Sequence, residues 1–234
     1  MKRGVDYIDR PVFILGLPRS GTSMVAGIAG ICGAWLGYTV GAAGGAPENP
    51  KGFFENRKLR ENVVKPILNN LDCDPLGVLK LPGLDDLPPY PGLKKYVTDI
   101  ITHEGYQADR LWAFKDAKLT LLWPLFQEAF PDASWVIVKR NIDSIVKSCL
   151  NTSFMVQHSD NPGLWYAWTE QYTQRLMRLV QTVDNCYEIQ SEDLIDNKYQ
   201  TLQAVIEKLD LKWDRSAIEK FICRDYWHSH HGLP

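Results

Sequence analysis

An apolar run, Pro11 to Gly16 (PVFILG), passes directly into Gly16-Leu17-Pro18-Arg19-Ser20-Gly21-Thr22-Ser23 and then into the small and apolar residues up to Gly33. A run that is apolar on both faces suits a strand buried in a parallel sheet. Gly16 and Gly21, set between that strand and a helix, form the G-x-x-x-x-G frame of a phosphate-binding turn. Such a turn points successive backbone N–H groups inward and seats an anion on the positive end of a helix, where donors lack partners. The pattern places this turn at the carboxyl edge of an α/β sheet, where ligands of such sheets bind.

The rest of the chain continues the alternation. Leu111 to Lys115 (LWAFK), Ser134 to Lys139 (SWVIVK) and Cys186 to Gln190 (CYEIQ) read as further strands. Helical patterns fall between and after them: Gly21–Gly33, Asn56–Leu71, Lys118–Phe130, Asn141–Leu150, Pro162–Val183, Asn197–Leu209 and Arg215–Cys223. Gly77 to Gly92 holds four prolines and is expected to be irregular. The whole predicts an α/β fold with a mainly parallel central sheet, helices on both faces and right-handed crossovers. No linker or repeat divides it, so residues 1–234 read as one domain, with 40–110 as an insertion or cap on the substrate side.

Composition narrows the class. Eight Trp, ten Tyr and eight Phe exclude a mainly disordered chain. A net charge of -2 argues against a general nucleic-acid or anionic-membrane binder. Five widely spaced cysteines without a CxxC suit a reducing compartment, and the N-terminus lacks an apolar signal-peptide core, so a cytoplasmic protein is expected. Met24 to Ala46 carries no charge but holds seven glycines, and reads as a buried helix followed by a glycine-rich loop rather than a membrane span.

Where a nucleotide-triphosphate loop has Lys, this chain has Thr22; its cation sits inside the turn, as Arg19. A second anion site is indicated downstream. Arg140 ends the strand SWVIVK, a helix follows with Asn141 or Asp143 as N-cap, and Ser144 and Ser148 share one face of it. Arg140 and a serine of that face can converge on one anion, with a charge-assisted contact from the guanidinium. The plain alternatives are a surface arginine and a small packing serine.

The strand-GLPRSGTS-helix unit resembles the 5′-phosphosulfate loop of sulfotransferases that use 3′-phosphoadenosine 5′-phosphosulfate (PAPS). Tyrosylprotein and many bacterial members have Arg-Ser-Gly-Thr there; cytosolic and heparan-type members usually have Lys in the Arg position. VKRNIDSIVKS is similar to the segment with which the family holds the 3′-phosphate, an Arg ending a strand and a Ser eight residues on. The resemblance implies a three-layer P-loop NTPase-like fold. It assigns Arg19, Ser20, Gly21, Thr22 and Ser23 to the phosphosulfate and Arg140 and Ser148 to the 3′-phosphate. YEIQSEDL is similar to the family's Tyr-Glu-Asp-Leu strand end, with Ser191 where a Tyr often touches adenine. The Arg-Lys-Gly motif of cytosolic members is absent after Arg215, with Arg224 a loose substitute.

The implied reaction moves a sulfuryl group in line from PAPS to a hydroxyl or amine of a small-molecule, glycan or peptide acceptor. It needs cations for the charge on the departing oxygen; Arg19 is the first candidate and Lys115, ending LWAFK, the second. The cytosolic enzymes' catalytic His falls on Ala117, so the base must be another group. Glu55, in Asn-Pro-Lys-Gly-Phe-Phe-Glu, is preferred, because its two aromatic neighbours are expected to raise its pKa by desolvation; Glu48 and Asp116 follow. The plain reading of Glu55 is a first-turn helix acid. Trp165, Tyr166, Trp168 and Tyr172 either wall the acceptor pocket or pack in the core. The scheme requires no metal, and His228, His230 and His231 read as a terminal cluster rather than a metal site. Two other readings remain: a P-loop kinase or NTPase using ATP–Mg²⁺, against which Thr22 counts, and a non-catalytic nucleotide-binding module. Oligomeric state is not indicated.

Overall fold

The computed structural model describes residues 7–41 and 49–227. Four strands, β1 (Val12–Gly16), β2 (Ala113–Lys115), β3 (Ser134–Lys139) and β4 (Cys186–Gln190), form one parallel sheet in the order β2-β1-β3-β4. Trp35 adds a single parallel bridge to Trp112 just before β2. Strands β3 and β4 have the predicted ends.

The helices, in chain order, are α1 (Thr22–Ile31), α2 (Arg57–Leu59), α3 (Lys65–Asn70), α4 (Leu93–His103), α5 (Leu119–Ala129), α6 (Ile142–Leu150), α7 (Ser153–Val156), α8 (Pro162–Thr182), α9 (Ser191–Ile195), α10 (Gln200–Lys208) and α11 (Arg215–Phe221). A π-helical turn, Arg60–Val64, joins α2 to α3, so the predicted helix from Asn56 onward contains a widened turn. Asn56 starts it as predicted, accepting the Leu59 N–H at 2.9 Å.

Alternation along the strands builds two cores, one on each face. Phe13, Leu15, Phe114, Trp135 and Ile137 point to the side covered by α2–α6 and α8. Val12, Ile14, Ala113, Val136 and Val138 point to the side covered by α1, α10 and α11. On the first side Phe13 meets Phe126 with ring centroids 5.4 Å apart and Trp135 at 4.7 Å. The three-layer α/β prediction therefore holds, with both sheet faces buried.

Helix α4 is not among the predicted helices; it lies within the 40–110 segment expected to be an insertion or cap. Its stripe of Leu93, Val97, Ile100 and Ile101 is buried, and Gly92 opens it in a left-handed conformation. The irregular part precedes it and is held from two sides. Asp74 accepts the N–H groups of Leu76, Val78 and Leu79. From α8, Trp168 Nε1 and Tyr172 OH both donate to the Gly77 carbonyl, at 3.0 and 2.9 Å. So Trp165, Trp168 and Tyr172 serve the core, while Tyr166 faces solvent. Among the described residues no helix is long and apolar enough to cross a membrane; of the uncharged 24–46 stretch, 42–46 lies outside them.

Candidate active site

Three neighbouring strand ends converge. β1 runs into the turn 16–21, β2 ends at Lys115 and β3 delivers Arg140, and β1 lies between the other two. The turn is tight: a Cβ on Gly16 would lie 2.4 Å from the Val138 carbonyl oxygen. Arg19 and Gly21 both take left-handed φ angles, 71° and 97°. Gly21 then opens α1 without a side-chain cap, which directs the first-turn donors of the helix to the turn. Ser20 is fully buried, and among the described residues its hydroxyl has no hydrogen-bond partner. An orphan donor under a turn of this kind fits a bound oxyanion.

The second predicted anion site lies against the first. Arg140 Nη1 donates to the Arg19 carbonyl at 2.8 Å, and Arg19 Nε donates to Ser148 Oγ at 3.0 Å. Asn141 caps α6 by accepting from Ser144 N at 3.0 Å, which sets Ser148 on the face toward the turn. Burial pushes the Arg140 guanidinium down to about 10; Glu192 opposes that fall, and nearby Arg19 adds to it. Glu192 offsets part of the cost of gathering two guanidiniums in a partly desolvated place, and a bound anion would offset more. Ser148 itself is buried behind Arg19.

On the other flank Lys115 Nζ donates to Glu55 Oε1 at 2.9 Å. Arg60, at the π-helical turn, reaches Glu55 Oε2 at 3.4 Å. Lys118 Nζ sits on Asp116 Oδ1 at 2.8 Å. Phe54 before Glu55 has a left-handed φ of 55°. The expected rise in the Glu55 pKa is overturned. Burial does push it up, but Lys115, Lys118 and Arg60 outweigh burial and hold the carboxyl at about 2. Nor is Glu55 a first-turn helix acid: it precedes the cap residue Asn56, and its side chain turns to Lys115. Burial raises the Asp116 carboxyl above its ordinary value, with Lys118 opposing.

One cavity of about 500 Å³ joins these groups. Arg19, Gly21, Thr22 and Ser23 from the turn line it, together with Glu55, Lys115 and Arg140. Ser20 and Ser148 lie just behind that wall, and Asp116 is buried away from it. Glu48 and the three C-terminal histidines fall outside the described residues. The Ser23 hydroxyl, expected to face an anion, donates to the Phe53 carbonyl at 3.2 Å and accepts from Asn49 at 3.1 Å. Among the described residues no cluster of three or more His, Cys, Asp or Glu is arranged to hold a metal.

Sequence reasoning missed Lys118, Arg60 and Trp227, all on the cavity wall. Trp227 stacks on Arg140, its ring centroid 3.9 Å from the guanidinium carbon, and packs over Gly21 beside Ser191. The small Ser191, whose hydroxyl donates to the Lys139 carbonyl at 2.9 Å, leaves room for that ring. Arg224 does not reach the strand ends; its Nε donates to the Ile195 carbonyl at 2.8 Å. Lys118 was legible as the third residue after Lys115, whereas nothing local marks Arg60 or Trp227.

Residues 85–215, more than half of the chain, match the family model described as "Sulfotransferase family". The chain belongs to the sulfotransferase family. No curated protein matches its sequence significantly. Solved sulfotransferases share its fold. The sulfotransferase domain of the Synechococcus PCC 7002 olefin synthase is 16% identical with a TM-score of 0.55, over 95% of this chain and 82% of that one. Sulfotransferase STF1 from Mycobacterium tuberculosis H37Rv is 15% identical with a TM-score of 0.53, over 95% and 71%. The sulfotransferase domain of the curacin biosynthetic pathway is also 15% identical, at 0.54, over 88% and 75%.

Proposed function

We propose that this sulfotransferase-family protein takes its sulfuryl group from PAPS and passes it in line to an acceptor in the same cavity. One observation carries the reading. Arg140 donates to the carbonyl of Arg19, and Arg19 to Ser148, so the two predicted anion sites share a wall at the tips of adjacent strands. A nucleotide with phosphates at both ends of its ribose matches that spacing in kind; a nucleoside triphosphate offers nothing for Arg140 and Ser148.

In this reading the turn 19–23 and the orphan Ser20 hydroxyl hold the phosphosulfate end, and Arg140 with Ser148 holds the 3′-phosphate under Trp227. PAPS supplies a sulfuryl group already activated by a phosphate leaving group. Arg19 reaches Ser148, so it serves the nucleotide, and the charge on the departing oxygen falls to Lys115. Lys115 in the free protein rests on Glu55. As it turns to the leaving oxygen, it withdraws positive charge from Glu55, whose affinity for the acceptor's proton then rises. Glu55 is thus the base, ionised beforehand. Glu55, Leu76 and Val78, which line the cavity from within 40–110, support reading that segment as the acceptor side.

Isothermal calorimetry tests the donor. Tight binding of 3′,5′-ADP in EDTA, with much weaker binding of ATP–Mg²⁺, is expected; preference for ATP–Mg²⁺ sinks the reading. Transfer of radiolabel from PAPS then separates an enzyme from a binding module.

A further inference from the structure

We infer that the face of α1 bearing Ser23 and Gly27 is the seat of the loop that carries Glu55, and that the Ser23 hydroxyl is a positioning group for that carboxylate rather than a ligand of the phosphosulfate; this rests on Glu55 being the base. A serine hydroxyl has one proton to donate. Ser23 gives it to the Phe53 carbonyl at 3.2 Å, and its oxygen accepts from Asn49 Nδ2 at 3.1 Å. An anion needs a donor, and this hydroxyl is committed to the loop. The contrast is with Ser20, whose hydroxyl has no partner among the described residues. The Ser23 backbone N–H stays with the first-turn donors of α1.

One turn further along α1, on the same face, Gly27 receives the next residue of the loop. A Cβ there would lie 3.1 Å from Phe54 Cζ and 2.3 Å from Phe221 Cζ, so a side chain at 27 would push that edge-to-face pair, centroids 5.8 Å apart, off the helix. Lys51 ties the loop to the same pair: its Nζ donates to the Phe221 carbonyl and lies 4.8 Å from the centroid of the Phe221 ring. Between Phe53 and Glu55 the chain turns through a left-handed φ of 55° at Phe54, a conformation rare for an aromatic residue. It is fixed on both sides. Phe53 N donates to the Val40 carbonyl at 3.1 Å, and Val40 N donates to the Glu55 carbonyl at 2.8 Å. The Glu55 side chain then meets Lys115 at 2.9 Å. One helix therefore serves both partners of the reaction: the N-terminus of α1 faces the anion, and its Ser23–Gly27 face holds the loop of the base.

Carbon-13 NMR of the glutamate carboxyls, with Glu55 assigned from Glu55→Gln, reads the position directly. In the wild-type protein Glu55 should stay ionised well below the ordinary 4.5, because Lys115 holds it. In Ser23→Ala its midpoint is expected to rise toward 4.5, and Ser23→Thr, which keeps a hydroxyl, should restore the wild-type titration. Calorimetry with 3′,5′-ADP gives the second readout. A hydroxyl lost from a phosphate contact weakens binding roughly tenfold or more, whereas Ser23→Ala should leave the Kd within about threefold. With radiolabelled PAPS and pooled phenol, sugar and amine acceptors, Ser23→Ala should lower kcat by roughly ten- to a hundredfold at an unchanged KM for PAPS. An unchanged Glu55 titration in Ser23→Ala overturns the inference, as does a loss of about tenfold in 3′,5′-ADP affinity or a matching rise in KM for PAPS. Undiminished transfer by Glu55→Gln instead overturns Glu55 as the base. Wild-type protein that does not bind 3′,5′-ADP, or binds it and transfers to nothing, overturns the donor or the enzyme reading, and the titration still decides whether Ser23 positions Glu55.

Discussion

Glu55 is the residue whose chemistry depends most on its neighbours. A carboxyl beside two phenylalanines reads from sequence as a desolvated acid of raised pKa, yet three cations hold it at about 2. Because the folded value lies below the ordinary 4.5, the ionised Glu55 cluster stabilises the fold above that pH, and the contribution is lost as the pH falls toward about 2. Activity should accordingly show no acidic limb from Glu55 between pH 5 and 8. A kcat/KM profile with a carboxylate limb near pH 6 contradicts this. Glu55→Gln is expected to lower kcat by about 10²–10⁴-fold while the Kd for 3′,5′-ADP changes little. Unchanged turnover moves the base to Glu48 or elsewhere. At the other end of the site, Arg140→Ala is expected to weaken 3′,5′-ADP by roughly ten- to a hundredfold, the loss of a charge-assisted contact. Adenosine 5′-phosphosulfate, which lacks the 3′-phosphate, should lose far less; equal losses by calorimetry remove Arg140 from the 3′-phosphate.

Among the elements, α8 reaches the site without lining it. Its Trp168 and Tyr172 hold the Gly77 carbonyl, and with it the Leu76–Val78 wall. Tyr172→Phe removes one of two donors and should cost about 1 kcal/mol by urea titration. It should also raise KM for the acceptor more than it changes donor affinity; a variant with wild-type KM shows that the wall does not depend on this bond. The strands were legible at this scale because runs apolar on both faces have few alternatives in a soluble domain. Helix α4 was not. The prolines of 77–92 masked the stripe beginning at Leu93, and the left-handed Gly92 that starts the helix reads in sequence as more loop. The π-helical turn that brings Arg60 to Glu55 has no sequence signature.

For the whole molecule, the site spans the ends of three strands and the helices after them, so a bound nucleotide links parts of the chain that are distant in sequence. Saturation at about 100 times Kd adds roughly 2.7 kcal/mol. For a chain of this size that corresponds to a rise in Tm of about 5–11 °C. The shift with 3′,5′-ADP is expected to be the same in EDTA as in Mg²⁺; a shift that requires Mg²⁺ speaks for a kinase-like site.

What the sequence determined alone was the local chemistry: a strand, a glycine turn and a helix around residues 11–31, and an arginine at a strand end followed by a serine on a helix face. These follow from backbone sterics and side-chain period, which act over a few residues. Only the tertiary structure decided that Arg19 donates to Ser148 and that Lys115 pairs with Glu55. It also set the charge state of Glu55, and placed Trp227 over Arg140 in the space left by the small Ser191. Those outcomes are sums of Coulomb and packing terms between groups far apart in the chain, and they have no value until the sheet order brings β1 between β2 and β3.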